Sequence, residues 1–178
     1  MSLSQIELTY LAGASAIALA ASYFDVKSRR IPNFITVPAF LFGIFLHLVC
    51  GGWQQMLSSL AAGAIGGALF LIFYLAGGMG AGDVKLMMAV GSTAGLAYVA
   101  NVMVLTVLAG GVMALFLTVV RGKFQETMLN VGALTAHHAH QGLQPHPDLN
   151  ISNPKTLRLP YALAIAGGCI LTLYFQFQ

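Results

Sequence analysis

The sequence predicts an all-α membrane protein with six transmembrane helices and both termini on the non-cytoplasmic side. Of its 178 residues, 58% are hydrophobic and only 7% are charged, whereas soluble domains carry about 25% charged residues. The apolar segments run for nearly twenty residues, the length of a transmembrane helix rather than of a β-barrel strand. All Lys and Arg residues also fall on one side of a six-span arrangement.

Six apolar segments approach the roughly 20 residues needed to cross the hydrocarbon core. They cover residues 6–24, 34–50, 56–76, 84–99, 102–120 and 159–177. The fourth is the shortest and is interrupted by Gly91-Ser92-Thr93. We expect a single transmembrane domain over residues 1–178. Its longest connection, 121–158, is a proline-containing loop with one helical piece near 124–136.

The positive charges define the orientation of this arrangement. Lys27, Arg29 and Arg30 follow span one, and Lys85 lies at the start of span four. The other four lie in the long connection: Arg121, Lys123, Lys155 and Arg158. The positive-inside rule assigns this face to the cytoplasm. We therefore predict a multi-pass protein, surrounded by the lipid bilayer, with this face towards the cytoplasm. Because the cations mark segment ends and form no basic patch with aromatics, nucleic-acid binding is not expected.

Two of the five acidic residues stand at the cytoplasmic ends of neighbouring spans, Asp25 after span one and Asp83 before span four. Carboxylates near hydrocarbon are costly and usually functional. Two carboxylates close together cannot both ionise easily, so such a pair shares a proton. It can then activate a water molecule, as in aspartic proteases. Asp25 and Asp83 are therefore the candidate catalytic residues.

Glycines surround the second aspartate. Residues 77–82, Gly-Gly-Met-Gly-Ala-Gly, are unsuited to a helix interior, and they would allow an extended chain to lie beside Asp83. Each aspartate also has a simpler interpretation. Asp83 resembles an N-terminal helix cap, and Asp25 could form an ion pair with Lys27 or Arg29.

Residues 80–85, Gly-Ala-Gly-Asp-Val-Lys, resemble the GxGD signature of type IV prepilin peptidases. Asp25, followed by Arg-Arg-Ile-Pro-Asn at 29–33, resembles their first catalytic segment. Residues 160–168 resemble the final span of the short members that serve Flp, or tight-adherence, pili. The resemblance extends over nearly the whole chain in order and spacing.

The resemblance implies that Asp25 and Asp83 form the dyad of a membrane aspartic endopeptidase. Its substrate would be an Flp-type prepilin, cut after a glycine at the cytoplasmic border to release a short basic leader. Other pilus assembly proteins would be partners. Gly80, Gly82, Lys85 and Arg30 are candidates for substrate binding or support of the dyad, although Lys85 and Arg30 could equally be orientation charges.

No metal or organic cofactor is expected. Larger members of that family carry a cytoplasmic CxxC insertion and also methylate the new N-terminus. Here residues 25–34 lead directly into span two, so methyltransferase activity is not expected. The histidines of the long connection, His137, His138, His140 and His146, could bind a metal, but a solvated loop is the simpler interpretation.

Two other functions are compatible with these residues. A small transporter or channel could use the two carboxylates to coordinate protons or cations. Against it, both acids lie at one membrane edge, and no inverted repeat is evident. An inactive scaffold of a pilus machine is the second alternative, and the presence of both aspartates argues against it.

Overall fold

A computed structural model describes residues 3–147, 149–150 and 159–177, and the regular structure in these ranges is entirely helical. The helices are α1 (Leu3–Ser28), α2 (Asn33–Leu75), α3 (Ala81–Ala94), α4 (Leu96–Val120), α5 (Phe124–Gln141) and α6 (Tyr161–Gln176). The predicted all-α class is confirmed. Within the described ranges, α1, α2 and α4 are long and apolar enough to cross a membrane.

The long helix α2 is a hairpin. Its backbone is non-helical at Gly52, where φ is 72°. A Cβ added at Gly43 would lie 2.7 Å from Oγ of Ser92, and one at Gly63 would lie 3.3 Å from the Cβ of the same serine. Twenty residues of straight helix would separate the two glycines by about 30 Å. Residues 33–51 and 53–75 therefore fold back on each other, which matches the predicted turn at 51–55.

Helix α3 lies at the centre of the bundle. It packs against both halves of α2 and against α1, α4 and α6. Ten of its 14 residues are buried, including Leu86, Met87 and Val90 of the main hydrophobic core. With a rise of 1.5 Å per residue it is only about 21 Å long. It is shorter than the hydrocarbon core, and the helices around it separate it from lipid.

The boundary between α3 and α4 differs from the predicted one. We expected span four to reach residue 99 and span five to begin at 102, but the chain breaks at Gly95, where φ is 82°. This left-handed conformation favours glycine. A Cβ there would lie 2.8 Å from Cε1 of His47. Ser92 and Thr93 do not interrupt α3, because their hydroxyls donate to the carbonyl of Ala89 within the helix.

Small residues bring α4 and α6 together. A Cβ on Gly168 would lie 2.7 Å from the backbone nitrogen of Thr106, so the two backbones are in close contact. Helix α5 corresponds to the helical piece expected near 124–136, extends to Gln141, and has no buried residue. Lys155 and Arg158 lie outside the described residues. The six-span count and the position of the termini remain predictions.

Candidate active site

The two aspartates project from different helices into one cavity. Asp25 lies in the last turns of α1 and Asp83 in the first turn of α3. Their exposed fractions are only 9% and 8%. Both line an open cavity of about 350 Å³ at this end of the bundle. The fold thus brings together two acidic groups that lie 58 residues apart in the sequence.

The carboxyl group of Asp83 also caps its own helix. Asp83 is the third residue of α3, and its Oδ2 accepts a hydrogen bond from the backbone N–H of Gly80 over 3.0 Å. This is the returning half of a capping box, in which a side chain near the helix start satisfies the preceding amide. Asp83 thus takes part in capping, but as the third residue of the helix, since the N-cap residue is Gly80. This is compatible with a chemical role, because a carboxylate has about four acceptor positions.

Burial raises the pKa of Asp83 from 3.8 to about 6. The Gly80 N–H bond lowers this pKa, while the negative charge of Asp25 raises it further. The two acids are thus close enough to influence each other's ionisation. Asp83 therefore retains a proton at a pH where an isolated aspartate would have lost it.

Asp25 receives its contacts from the end of α1 and from α6. Its Oδ2 accepts a hydrogen bond from the backbone N–H of Ala162 over 3.4 Å. Arg29 is near enough for its charge to act on this carboxyl group. Arg29 has φ of 54°, and its N–H closes the final turn of α1 on the carbonyl of Asp25. The charge of Arg29 thus acts on Asp25 within the cavity, whereas the ion pair offered as a simpler interpretation stays a prediction.

The other four residues expected at the site also line this cavity. Gly80 and Gly82 form the wall before Asp83, and Arg30 and Lys85 lie at its edge. Nζ of Lys85 donates a hydrogen bond to Oδ1 of Asn33 over 3.0 Å. Lys85 therefore links the start of α3 to the start of α2 while remaining exposed to the cavity.

Some cavity residues were not expected from the sequence. Pro32 is the N-cap residue of α2, and Asn33, the first residue of that helix, also lines the cavity. Ile31 packs so closely on Gly82 that a Cβ there would lie 3.1 Å from the Cβ of Ile31. Leu159 completes the wall. Only the proximity of 29–33 to Asp25 in the sequence could have indicated the first two.

The histidines do not form a metal centre in the described part of the chain. The rings of His137 and His146 have centroids 4.8 Å apart, but no group of three or more His, Cys, Asp or Glu is arranged to hold a metal there. Nδ1 of His146 instead accepts the N–H of Leu149. The interpretation as a solvated loop is wrong for His137, His138 and His140, which lie in α5.

A family model described as the type IV leader peptidase family matches residues 12–115. This is more than half of the chain, and it contains both aspartates. The chain belongs to the type IV leader peptidase family. It is accordingly a leader-peptidase-like protease with membrane-spanning helices, and membership of this family implies prepilin substrates. Comparison with curated proteins and with solved structures yields no match.

Proposed function

We propose that this leader peptidase is an aspartic endopeptidase that removes the short basic leader of Flp-type prepilins, cutting after a glycine. The observation that supports this most is the pair of buried aspartates, Asp25 and Asp83, lining one open cavity. Burial and mutual repulsion keep a proton on such a pair near neutral pH. That protonation state is the one that aspartic proteolysis requires.

The surroundings of the two aspartates suggest that one acts as the acid and the other as the base. Asp83, whose pKa is raised to about 6, holds the shared proton. Burial raises the pKa of Asp25 as well, but the Ala162 N–H and the charge of Arg29 oppose this shift, so in this proposal Asp25 is the partner that ionises first. Asp25 takes a proton from water as the water oxygen adds to the scissile carbonyl carbon, and Asp83 protonates the carbonyl oxygen. When the carbon–nitrogen bond breaks, the proton on Asp25 passes to the departing amine, and one hydroxyl of the tetrahedral intermediate returns a proton to Asp83, which leaves a carboxylic acid.

The glycine wall provides space for an extended peptide. Gly80 and Gly82 have no side chains, so the substrate backbone can approach Asp83 along 80–82. Arg30 and Lys85 at the cavity edge would bind the carbonyl groups of the substrate. The apolar helix of the prepilin would remain in the bilayer beside the bundle, which puts the scissile bond at the membrane border.

We further propose six spans, both termini outside the cytoplasm, and a cytoplasmic cavity in the bacterial inner membrane. The hairpin of α2 supports the count, since residues 33–51 and 53–75 run in opposite directions. Lys27, Arg29, Arg30 and Lys85 lie at the cavity end, as the positive-inside rule requires. Other pilus assembly proteins would meet the enzyme on this side. No methyltransferase activity is proposed.

Co-expression with an Flp-type prepilin tests the function. We expect wild type to release the leader, whereas Asp25→Asn and Asp83→Asn accumulate at normal levels and do not. The matched control is Glu126→Gln, which neutralises an exposed carboxylate outside the cavity. If both aspartate variants cleave normally, the dyad proposal is wrong. Ion flux through liposomes holding wild-type protein, without any cleavage, would support the transporter instead.

A further inference from the structure

Helix α5 carries an exposed apolar stripe. Phe124, Met128 and Val131 follow one another at spacings of four and three residues, which puts them on one side of the helix. Their exposed fractions are 47%, 43% and 48%. Leu129 is 75% exposed but lies about 140° around the helix from Phe124, so it is outside the stripe. The bundle covers neither surface.

Along the chain, the stripe directly follows an exposed apolar surface on α4. Helix α4 is one of the helices long and apolar enough to cross a membrane. Towards its C-terminal end, Val112, Phe116, Val119 and Val120 are between 64% and 68% exposed. In a membrane-spanning helix this surface is in contact with lipid. Only residues 121–123 separate it from Phe124, so α5 must begin at the boundary of the bilayer.

The connection between the two helices is suited to that boundary. Gly122 has φ of 64°, a left-handed conformation that ends α4 and turns the chain away from its axis. Arg121 and Lys123 on either side are exposed, and Lys123 forms an ion pair with Glu126 at 3.2 Å. Cations at the end of a membrane helix extend to the headgroup region.

From these features we propose that α5 lies in the cytoplasmic membrane interface. Phe124, Met128 and Val131 are inserted at the boundary between headgroups and acyl chains, and Arg121 and Lys123 contact anionic headgroups. We assign the stripe to lipid rather than to a partner protein because only three residues separate the start of α5 from the apolar, exposed end of α4, which places this start at the membrane boundary. This inference does not depend on the proposed peptidase chemistry.

Anchoring of α5 also affects the segment that follows it. Pro145 packs against Gly77, where an added Cβ would lie 2.9 Å from the Cβ of this proline. Gly77 belongs to the glycine turn that leads to Asp83. A helix fixed on the bilayer surface therefore favours the packing of Pro145, and of Asn150, which also contacts Gly77, against one side of that turn.

Spin labels on the intact protein in vesicles provide the test. Met128→Cys and Leu129→Cys are prepared in a Cys50→Ser background, since Cys50 is exposed and Cys169 is buried. Each is labelled and reconstituted in phosphatidylcholine with phosphatidylglycerol. Relaxation by oxygen reports contact with lipid, and relaxation by a nickel chelate reports contact with water. We expect the oxygen-to-nickel ratio to be several-fold higher at 128 than at 129.

Equal nickel accessibility at the two positions would overturn the proposal and leave the stripe free for a pilus assembly protein. The headgroup contact has a separate test, in which Arg121→Gln and Lys123→Gln are added to the Met128→Cys protein. We expect the ratio at 128 to fall towards that at 129 in the same vesicles. An unchanged ratio would exclude the anionic contact. Circular dichroism confirms that the variants keep their helical content.

Discussion

The backbone N–H of Ala162 donates a hydrogen bond to Oδ2 of Asp25, joining two residues 137 positions apart. Ala162 lies in the first turn of α6, beyond the residues that the family model matches. Amides at a helix N-terminus carry partial positive charge and stabilise a nearby anion. Burial raises the pKa of both aspartates, and at Asp25 the N–H of the last helix opposes that shift.

The two aspartates should act as a unit. We expect Asp25→Asn and Asp83→Asn each to lower kcat/KM for prepilin cleavage by about a thousandfold or more. Each substitution removes one of the two carboxyl groups that transfer protons in the proposed reaction. Residues that act as a unit show strongly non-additive effects. The double variant should therefore be no worse than the poorer single variant. Multiplied losses in the double variant would indicate independent roles.

Cleavage should decline as the pH rises above about 6. Since the pKa of Asp83 is raised to about 6, the proton-bearing form of the dyad is lost above that pH, and kcat/KM should then fall about tenfold per pH unit. A bound substrate excludes water and raises the pKa further. The decline in kcat should thus begin at a higher pH than that in kcat/KM. Steady-state cleavage between pH 5 and 9 measures both, and a kcat/KM constant up to pH 8 would contradict the assignment.

Asp83→Asn should stabilise the protein at pH 8. The unfolded carboxyl group ionises near pH 3.8 and the folded one near 6. Between these values the unfolded state loses its proton first, so stability falls as the pH rises, and the loss is complete above about pH 6. The free energy of unfolding lost in this way is about 3 kcal/mol, since each pKa unit corresponds to about 1.4 kcal/mol.

Thermal unfolding in detergent measures this difference. Asparagine has no charge to bury and can still accept the Gly80 N–H. The variant should therefore have a higher Tm than wild type at pH 8, and the two should converge towards pH 4. A lower Tm for the variant at pH 8 would show that the ionised carboxylate stabilises the fold.

Gly82→Ala should impair cleavage. The new methyl carbon would lie 3.1 Å from the Cβ of Ile31, so Ile31 and the wall that it belongs to must shift by a few tenths of an ångström. Displacements of catalytic groups by about 1 Å can cost a hundredfold in rate, and we expect a loss of about tenfold in kcat/KM. The control is Gly111→Ala in α4, which meets nothing within 4 Å. Equal activity of both variants would exclude a close fit at Gly82.

The Lys85–Asn33 hydrogen bond should contribute to activity. We expect Lys85→Met and Asn33→Ala each to lower kcat/KM by about tenfold, and the double variant to lose less than the product, since contacting residues couple by about 0.5–3 kcal/mol. Lys85→Arg distinguishes this role from an orientation charge. It keeps the charge but changes the donor geometry. Full activity of Lys85→Arg would favour the orientation charge alone.

Local patterns in the sequence were sufficient for the helical class, for the turn near Gly52, and for placing Asp25 and Asp83 at one end. They were not sufficient for the α3–α4 boundary. Residues 92–101 contain several residues typical of turns. The contact with His47, which identifies Gly95 as the boundary, is visible only in the folded structure. The Ala162 contact was equally inaccessible, because a backbone N–H belongs to every residue except proline and only tertiary packing brings this one to Asp25.

The shortness of α3 bears on how the protein is made. At 14 residues, with Asp83 and Lys85 in its first turns, it lacks the length and hydrophobicity for independent insertion into a bilayer. The flanking helices α2 and α4 are apolar enough to insert first. Helix α3 then enters a groove that its neighbours have already formed, as membrane helices associate after insertion. Insertion of α1 alone therefore does not form the cavity, because Asp83 lies beside Asp25 only when α3 is packed among its neighbours.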